Sequence, residues 1–206
     1  MLRVGLTGGL ASGKSFVGRQ LASLGCLVIL ADDLGHEVLA PGGEAYDSVL
    51  AEFGREILNP DGTIDRRKLA ALVFDRPDRL EKLNALVHPP VRARTERMIS
   101  EFEKAHPDGI AVSEAAILIE TGSSRKYDRL IVAVCSEEQQ IERAMARDHM
   151  TREDAIARLR RQMPLAEKVK YADYVIDTSG TKEHTIAQTR TVFEDLRKVN
   201  ACDSER

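Results

Sequence analysis

The sequence predicts an α/β protein in which a parallel β-sheet is flanked by helices. Short β-branched runs recur along the chain, and stretches with helical spacing separate them. The runs are apolar nearly throughout rather than alternating, which is typical of strands buried on both faces of a parallel sheet. Five such runs are found, at residues 2–7, 27–31, 110–112 (with its C-terminal end left open), 130–134 and 174–176.

The composition fits one globular domain with insertions. The chain has 206 residues, of which 43% are hydrophobic and 31% charged. Its formal net charge of -3 argues against a dedicated nucleic-acid-binding protein. Three well-separated cysteines without a C-x-x-C motif argue against a disulfide framework or a zinc site. With no signal peptide or transmembrane run in the sequence, we expect a cytoplasmic protein that does not bind membranes.

Two insertions and a final helix complete the predicted organisation. Residues 33–108 lack a convincing strand and form a helical insertion, with a turn at 59–62 and a punctuated or kinked helix at Pro89-Pro90. Residues 136–170 form a polar helical segment, in which Ser136 and Gln139 make a capping box and Thr151 begins a further helix. The core is then residues 1–32, 109–135 and 171–199, with a last helix at about 182–199 and a frayed tail at 200–206.

The strongest motif follows the first strand. The sequence from Gly8 to Ser15 fits G-x-x-x-x-G-K-[ST], the phosphate-binding loop of nucleoside triphosphatases and kinases. Glycines in such a loop let consecutive N–H groups turn inward around phosphate oxygens, and the following helix adds its positive N-terminal end. Lys14 is expected on the terminal phosphates and Ser15 on Mg²⁺. The nucleotide-binding candidates are Gly8, Ala11, Ser12, Gly13, Lys14, Ser15 and Phe16, where Phe16 either packs behind the loop or crowds the base.

A carboxylate for the acceptor is predicted at Asp32. The sequence has no Asn-Lys-x-Asp, which excludes an ordinary GTPase, so a small-molecule kinase is the better interpretation. A kinase needs a carboxylate beside the acceptor hydroxyl. Asp32 follows the second predicted strand, at the sheet edge where open α/β proteins bind ligands. Its alternative role is to cap the next helix, and Asp33 is its rival.

Two arginines on the 136–170 segment are candidates for phosphate contacts. Arg143 and Arg147 are four residues apart on the helix that Ser136 caps, so they share one face. In one interpretation the segment is a lid that brings these guanidinium groups onto the transferring phosphoryl group. In the other they belong to a solvated charged face, compensated by neighbouring carboxylates.

Taken together, these residues resemble the dephospho-coenzyme A kinase family over nearly the whole chain. The similarity is carried by short blocks in a fixed order rather than by one motif. They include the loop opening at Leu6, Asp32 with His36, Pro41–Tyr46, Asp61–Arg66, His88-Pro89, Gln140–Arg143 with Arg147-Asp148, Gln162–Pro164, Lys168, Ala172-Asp173 and Ile176-Asp177. The chain departs from the family pattern where Leu30 replaces an Asp, Glu114 replaces an Asp and Ala116 replaces a Pro.

The resemblance implies a fold, an activity and roles for further residues. It implies a P-loop core with a helical acceptor domain at 33–108 and a helical lid at 136–170. It also implies ATP-dependent phosphorylation of the ribose 3′-hydroxyl of dephospho-coenzyme A, with Mg²⁺. Asp32, Lys14 and Arg143 would be catalytic, with Arg147 in support. His36, Arg66 and His88 would line the acceptor region, or else serve only packing and capping.

Two other functions stay open from the sequence alone. One is a kinase for another small acceptor, such as a nucleoside monophosphate or a sugar acid. The other is a nucleotide-binding regulatory module without phosphoryl transfer, in which Leu30 and Glu114 mark a decayed site. The sequence does not indicate an oligomeric state.

Overall fold

Five parallel strands form one sheet in the computed structural model, which describes residues 1–74 and 76–204. The order across the sheet is β2-β3-β1-β4-β5. The strands are β1 Leu2–Gly8, β2 Leu27–Leu30, β3 Ile110–Glu114, β4 Arg129–Val134 and β5 Tyr174–Asp177. β3 and β2 lie on one side of the central strand β1, and β4 and β5, which come later in the chain, lie on the other side. Ligands of open α/β sheets bind at the carboxyl ends of the strands beside such a reversal.

Each apolar run predicted from the sequence is a strand, and the differences lie at the ends. β3 continues to Glu114, which pairs in register with Leu6 of β1 and Leu30 of β2. β2 ends at Leu30, because Ala31 already begins a helix. The central strand β1 is buried along almost its whole length, as expected for a strand covered on both faces.

The chain divides into two compact units. The first comprises Met1–Leu30 together with the chain from Ile99 onward, and the second comprises Ala31–Met98. The first unit holds the sheet and the helices α1 Lys14–Ser23, α6 Glu137–Asp148, α7 Arg152–Leu159, α8 Leu165–Val169 and α9 Lys182–Ser204. Its aliphatic core includes Val4, Leu6, Val17, Leu21, Ile131 and Leu196, all essentially inaccessible to solvent. The three-part division predicted from the sequence stays a prediction.

The helices of residues 136–170 begin where the sequence predicts. Ser136 and Gln139 form the capping box of α6, and the Thr151 side chain accepts a hydrogen bond from the Asp154 N–H at the start of α7. Although the segment is polar, it has an apolar cluster of its own, in which buried side chains of α6 and α7 pack with residues of the phosphate loop. Its members include Ile141, Ala144, Ala155, Leu10, Ala11, Met145 and Ile156.

The second unit is helical. It contains α2 Ala31–Glu37, α3 Tyr46–Phe53, α4 Arg66–Val73, a 3₁₀ turn at Arg55–Ile57 and most of α5 Pro77–Ala105. The predicted turn at 59–62 is confirmed, since the Gly62 N–H donates to the Asn59 carbonyl. An isolated antiparallel bridge joins Leu58 and Ile64 beside it. The core of the unit consists of Val38, Ala45, Val49, Phe53, Ile57, Ile64 and Leu69.

Pro89 and Pro90 do not end their helix. α5 continues through both from Pro77 to Ala105, although each proline lacks the N–H that a helix interior uses. Val87 and Val91, which precede and follow the prolines, pack against the core of the second unit. This packing holds the helix in place across the interruption in its hydrogen bonding.

The C-terminal helix is longer than the sequence predicts. α9 extends to Ser204, so the frayed tail expected from residue 200 does not begin there; residues 205–206 of that tail lie outside the described residues. The reason is Asn200, which is buried and donates from its side-chain amide to the carbonyls of Asp108 and Gly109, at 2.8 and 3.3 Å. These bonds hold the last turns of α9 against the start of β3.

The three cysteines are free thiols in different surroundings. Cys26 is buried, and its burial raises the pKa of the thiol to about 12. Cys135 is half-buried, and burial raises its pKa as well. Cys202 is exposed on α9. Within the described parts of the chain, every helix is too short or too polar to cross a membrane.

Candidate functional site

The loop between β1 and α1 has the geometry that its motif predicts. Gly8 ends β1 and Lys14 begins α1. Gly13 precedes the helix in the left-handed region, at φ 86°, and its carbonyl accepts from the N–H groups of Phe16 and Val17. Ala11 also has a positive φ, of 50°. These torsions turn the loop over the N-terminal end of α1, where the helix dipole favours an anion.

Both the positive φ of residue 13 and the closeness of its neighbours favour glycine at this position. A Cβ at this position would lie 2.9 Å from two side-chain atoms of Thr178, at the end of β5. Thr178 Oγ1 lies 2.9 Å from the Ser12 carbonyl, so the residue packs directly behind the loop. Any larger residue at 13 would have to displace the loop or Thr178.

The lysine and serine of the motif have defined partners within the protein. The Lys14 ammonium donates to the Gly9 carbonyl at 3.1 Å, which folds the side chain back over the loop. The Ser15 hydroxyl donates to Oε1 of Glu114 at 2.6 Å. Glu114 is 6% exposed and ends β3, the strand beside β1. A hydroxyl and a carboxylate therefore meet at the carboxyl edge of the sheet, next to the phosphate loop.

Room for Glu114 comes from Gly18 on α1. A Cβ at residue 18 would lie 2.7 Å from Glu114 Oε2, closer than non-bonded atoms come. Gly18 is buried and faces the strand end. From the sequence, Glu114 stands out only as a departure from a family pattern, and its contact with Ser15 is not predicted. Its position at the end of a strand next to the phosphate loop was the signal that could have found it.

The two candidate arginines of α6 have different surroundings. Arg143 donates to the Thr178 carbonyl at 2.7 Å and to its hydroxyl at 3.1 Å, so its guanidinium group is held beside the residue that backs the phosphate loop. Arg147 makes two hydrogen bonds to Asp148, at 2.7 and 2.9 Å, and its side chain is 59% exposed. The Arg147 guanidinium group lowers the pKa of the Asp148 carboxyl.

Ser12, within the loop, and Phe16, directly after it, differ in burial. Ser12 is fully buried. Phe16 is only half-buried, and the guanidinium group of Arg19 lies 5.9 Å from its ring centre. Phe16 is therefore not one of the buried residues that form the first unit's core.

The 136–170 segment contacts the loop directly. The Leu10 N–H donates to Gln162 Oε1 at 2.8 Å, and a Cβ at Gly9 would lie 2.9 Å from the amide of Gln140. A cavity of about 470 Å³ opens beside Gly9 and is lined by residues of this segment, among them Gln140, Gln162 and Met163. That volume falls in the range of small-ligand pockets.

The candidate acceptor residues lie in the second unit. Asp32 and His36 are exposed on α2, four residues apart and so on one face. α2 is anchored by buried Leu34 and by an ion pair between Glu37 and Arg94, at 2.8 Å. These contacts give the helix that carries Asp32 a fixed place within the unit.

Arg66 and His88 lie on two other helices of that unit. Arg66 is the first residue of α4, whose N-cap is Asp65, and is exposed. His88 is half-buried in α5; burial lowers the pKa of its imidazole, and the nearby Arg92 charge adds to the effect. A neutral imidazole is therefore favoured at this position.

Comparison with known proteins identifies what the whole chain is similar to. The family model described as dephospho-CoA kinase matches residues 2–184. A dephospho-CoA kinase from Carboxydothermus hydrogenoformans is 44% identical over 191 residues, which are 93% of this chain and 92% of that protein.

Solved structures agree with that match. The crystal structure of TT1252 from Thermus thermophilus superposes with a TM-score of 0.79 at 33% identity, over 95% of this chain and 97% of that one. A dephospho-CoA kinase from Campylobacter jejuni superposes with a TM-score of 0.62 at 25% identity, over 95% and 97% of the two chains. The α/β fold predicted from the sequence is confirmed.

Proposed function

The chain belongs to the dephospho-CoA kinase family, and on that premise we propose how its residues transfer the γ-phosphoryl group of ATP to the ribose 3′-hydroxyl of dephospho-coenzyme A. The products are coenzyme A and ADP, so the reaction is the last step of coenzyme A synthesis. One observation supports the assignment of residues above all: Ser15 of the phosphate loop bonds to Glu114 at the carboxyl edge of the sheet, where such sheets bind ligands.

The loop from Gly8 to Ser15 binds the phosphates of ATP. Its main-chain N–H groups and the N-terminal end of α1 supply the positive potential that a triphosphate needs. The Lys14 ammonium, which folds back over Gly9, moves to the β- and γ-phosphates when ATP binds. Since phosphoryl transfer has a loose transition state, placing these charges is most of what the protein contributes.

Asp32 orients the acceptor hydroxyl. It is the second residue of α2, the helix that follows β2 directly in sequence. As the bond between the ribose oxygen and the γ-phosphorus forms and the bond to the ADP oxygen breaks, the hydroxyl proton passes to the Asp32 carboxylate. A metaphosphate-like transition state needs little base strength, so an ordinary carboxylate is sufficient.

Ser15 and Glu114 fit a Mg²⁺ ion. A hydroxyl and a carboxylate are hard oxygen donors, and Mg²⁺ is typically held by one or two such groups together with substrate phosphates. When bound with ATP, the ion supplies charge that neutralises the phosphate oxygens. The Ser15 hydroxyl and the Glu114 carboxylate would be the residues that hold the ion, and in its absence the hydroxyl donates to the carboxylate.

Arg143 and Arg147 complete the charge around the phosphates. Arg143 is held near the loop by Thr178, so little reorganisation is needed to direct its guanidinium group at the transferring group. Arg147 supports it from the next turn of α6. Closure of the 136–170 lid excludes water and so limits wasteful hydrolysis of ATP.

His36, Arg66 and His88 bind the acceptor. Arg66 offers a fixed positive charge for the phosphates of dephospho-coenzyme A, and the two histidines offer hydrogen-bonding edges. Three free thiols are compatible with the reducing cytoplasm in which we place the protein.

A coupled assay tests the function. ADP release should depend on dephospho-coenzyme A, and phosphorus NMR of the product should show a new ribose 3′-phosphate. A nucleoside monophosphate or a sugar acid, offered as the acceptor, should release no ADP above the background hydrolysis. Tight ATP binding without any product from dephospho-coenzyme A would instead identify a nucleotide-binding regulatory module.

A further inference from the structure

A lysine outside the proposed catalytic set is the largest fully buried side chain of the described residues. Lys168 lies in α8, at the end of the lid, and its side chain has no exposed surface. Burying an ammonium group is costly unless it is paired and its N–H donors are satisfied. A methionine or leucine would fill the same space without that cost, so the charge calls for an explanation beyond packing.

The Lys168 ammonium uses its three donors on three different groups. It donates to the Ala116 carbonyl at 2.6 Å and to the Gly8 carbonyl at 3.3 Å, and it pairs with Glu120 Oε1 at 2.9 Å. An ammonium group has three N–H donors, so its capacity is filled. Gly8 is far in sequence from Ala116 and Glu120, and Lys168 joins the two segments at one point.

The partners of Lys168 belong to the phosphate loop and to the segment after β3. These two segments must keep a fixed relative position for phosphoryl transfer. Gly8 opens the phosphate loop. Ala116 and Glu120 lie in the segment that leaves β3 directly after Glu114. The Thr7 hydroxyl also donates to the Ala116 carbonyl, at 3.2 Å, so the end of β1 and this segment are joined twice.

The Glu120 carboxylate also connects this cluster to other residues of the lid. Glu120 Oε1, which pairs with Lys168, also accepts from the Met163 N–H at 3.1 Å, and the neighbouring Gln162 accepts from the Leu10 N–H of the loop. The end of the lid is therefore tied both to the loop and to the segment that carries Glu114.

We infer that Lys168 is a positioning residue, which acts through the Gly8 and Ala116 carbonyls to hold Glu114 at the distance from the phosphate loop that Mg·ATP requires. The inference rests on the proposed function in taking Ser15 and Glu114 as the magnesium-binding pair. Lys168 itself touches neither ATP nor the acceptor.

Equilibrium binding of ATP, in EDTA and at graded Mg²⁺ concentrations, tests the inference without relying on turnover. In Lys168→Met, binding in EDTA should match the wild type, while the gain in ATP affinity that Mg²⁺ confers should fall by about 10-fold or more, as for other residues that orient metal ligands from behind. Lys170→Met is the matched control, because Lys170 lies two residues away and is 66% exposed in its pair with Glu167. It should behave as the wild type.

Two further variants separate positioning from stability. In Lys168→Met with Glu120→Leu, both members of the ion pair are removed and no unpaired carboxylate is left, so the melting temperature should recover in part relative to Lys168→Met. The gain in ATP affinity from Mg²⁺ should remain reduced in the double variant, because no side chain then donates to the Gly8 and Ala116 carbonyls. Lys168→Arg, which keeps the charge and several donors, should restore part of that Mg²⁺ effect.

The opposite results would overturn the inference. If the double variant regains the wild-type Mg²⁺ effect, or if Lys168→Met folds and keeps it, Lys168 is only part of the core. If Lys168→Met, Lys168→Arg and the double variant all fail to fold, Lys168 is likewise assigned to stability alone. If the wild-type protein binds Mg·ATP but makes no coenzyme A, the proposed function fails, while the comparison of Mg²⁺ effects still decides the role of Lys168.

Discussion

Glu114 reaches Ser15 only because residue 18 has no side chain: a Cβ at Gly18 would lie 2.7 Å from Glu114 Oε2. The Ser15 hydroxyl donates to the other carboxylate oxygen, at 2.6 Å. The helix α1, the phosphate loop and the end of β3 therefore pack closely together at Glu114.

Gly18→Ala should lower the turnover number by about 10-fold while the protein stays folded. Alanine favours the helix over glycine by about 1 kcal/mol, which offsets the strain of moving Glu114, so the melting temperature should change little. The displaced carboxylate then no longer faces Ser15. Steady-state kinetics and thermal melting measure the two effects.

Ser23→Ala is the control on the same helix. Ser23 is the last residue of α1, is exposed, and donates from its hydroxyl to the Gln20 carbonyl. The variant should keep the wild-type rate. Equal turnover in Gly18→Ala and the wild type would show that the Ser15–Glu114 contact is not needed for the reaction.

Asp32→Asn should reduce turnover by about 10²- to 10⁴-fold, because asparagine keeps the shape of the side chain but does not accept the ribose proton. ATP binding, measured by calorimetry, should be unchanged. Asp33→Asn, one residue further along α2 and also exposed, is the control. Near-normal turnover of Asp32→Asn would remove Asp32 from the mechanism and leave it as a residue of the first turn of α2.

Arg143→Ala should slow turnover by about 10³-fold and weaken the binding of each substrate far less, as expected for a cation that acts mainly on the transition state. The loss for Arg147→Ala should be smaller, because that side chain is exposed and already paired with Asp148. Single-turnover kinetics together with binding titrations separate the two effects. A loss confined to ATP binding would instead make Arg143 a nucleotide clamp. Arg190→Ala, an exposed arginine of α9, serves as the control.

His88 should make the protein less stable in mild acid. Burial lowers the pKa of His88 in the folded state below its ordinary 6.5. Between the two pKa values the unfolded chain binds more protons than the folded one, so stability is lost as the pH falls below 6.5 and is unaffected by His88 above it. The slope is at most about 1.4 kcal/mol per pH unit for one such group.

Urea denaturation of the wild type and of His88→Gln at several pH values measures this effect. The free energy of unfolding should fall more steeply with acidification in the wild type than in His88→Gln. Parallel pH profiles of the two proteins would show that His88 titrates alike in the folded and unfolded states.

Local signals predicted much of the fold. Each strand was marked by a run of β-branched residues, and the capping box at Ser136 and Gln139 fixed the start of α6. The phosphate loop was equally readable, because its motif specifies torsions and a lysine within eight residues. Each of these features is determined by residues that are close to one another in the sequence.

Contacts between distant residues could not be predicted in this way. Ser15 and Glu114 are 99 residues apart, and the buried Lys168 lies in a stretch rich in exposed charges. Asn200 belongs to a polar tail that looks disordered by composition, yet its amide is used on the carbonyls of Asp108 and Gly109. The packing of helices and strands in the folded chain brings such residues together, and no local sequence pattern specifies it.

The distribution of the thiols also gives the molecule a natural attachment point. Thiol reagents act on the thiolate, and burial suppresses that form at Cys26 and, to a smaller degree, at Cys135. Maleimide dyes or spin labels should therefore couple first to exposed Cys202, close to the C-terminus, without replacing any residue of the chain. A reporter placed there would serve fluorescence or resonance studies of the intact wild-type enzyme.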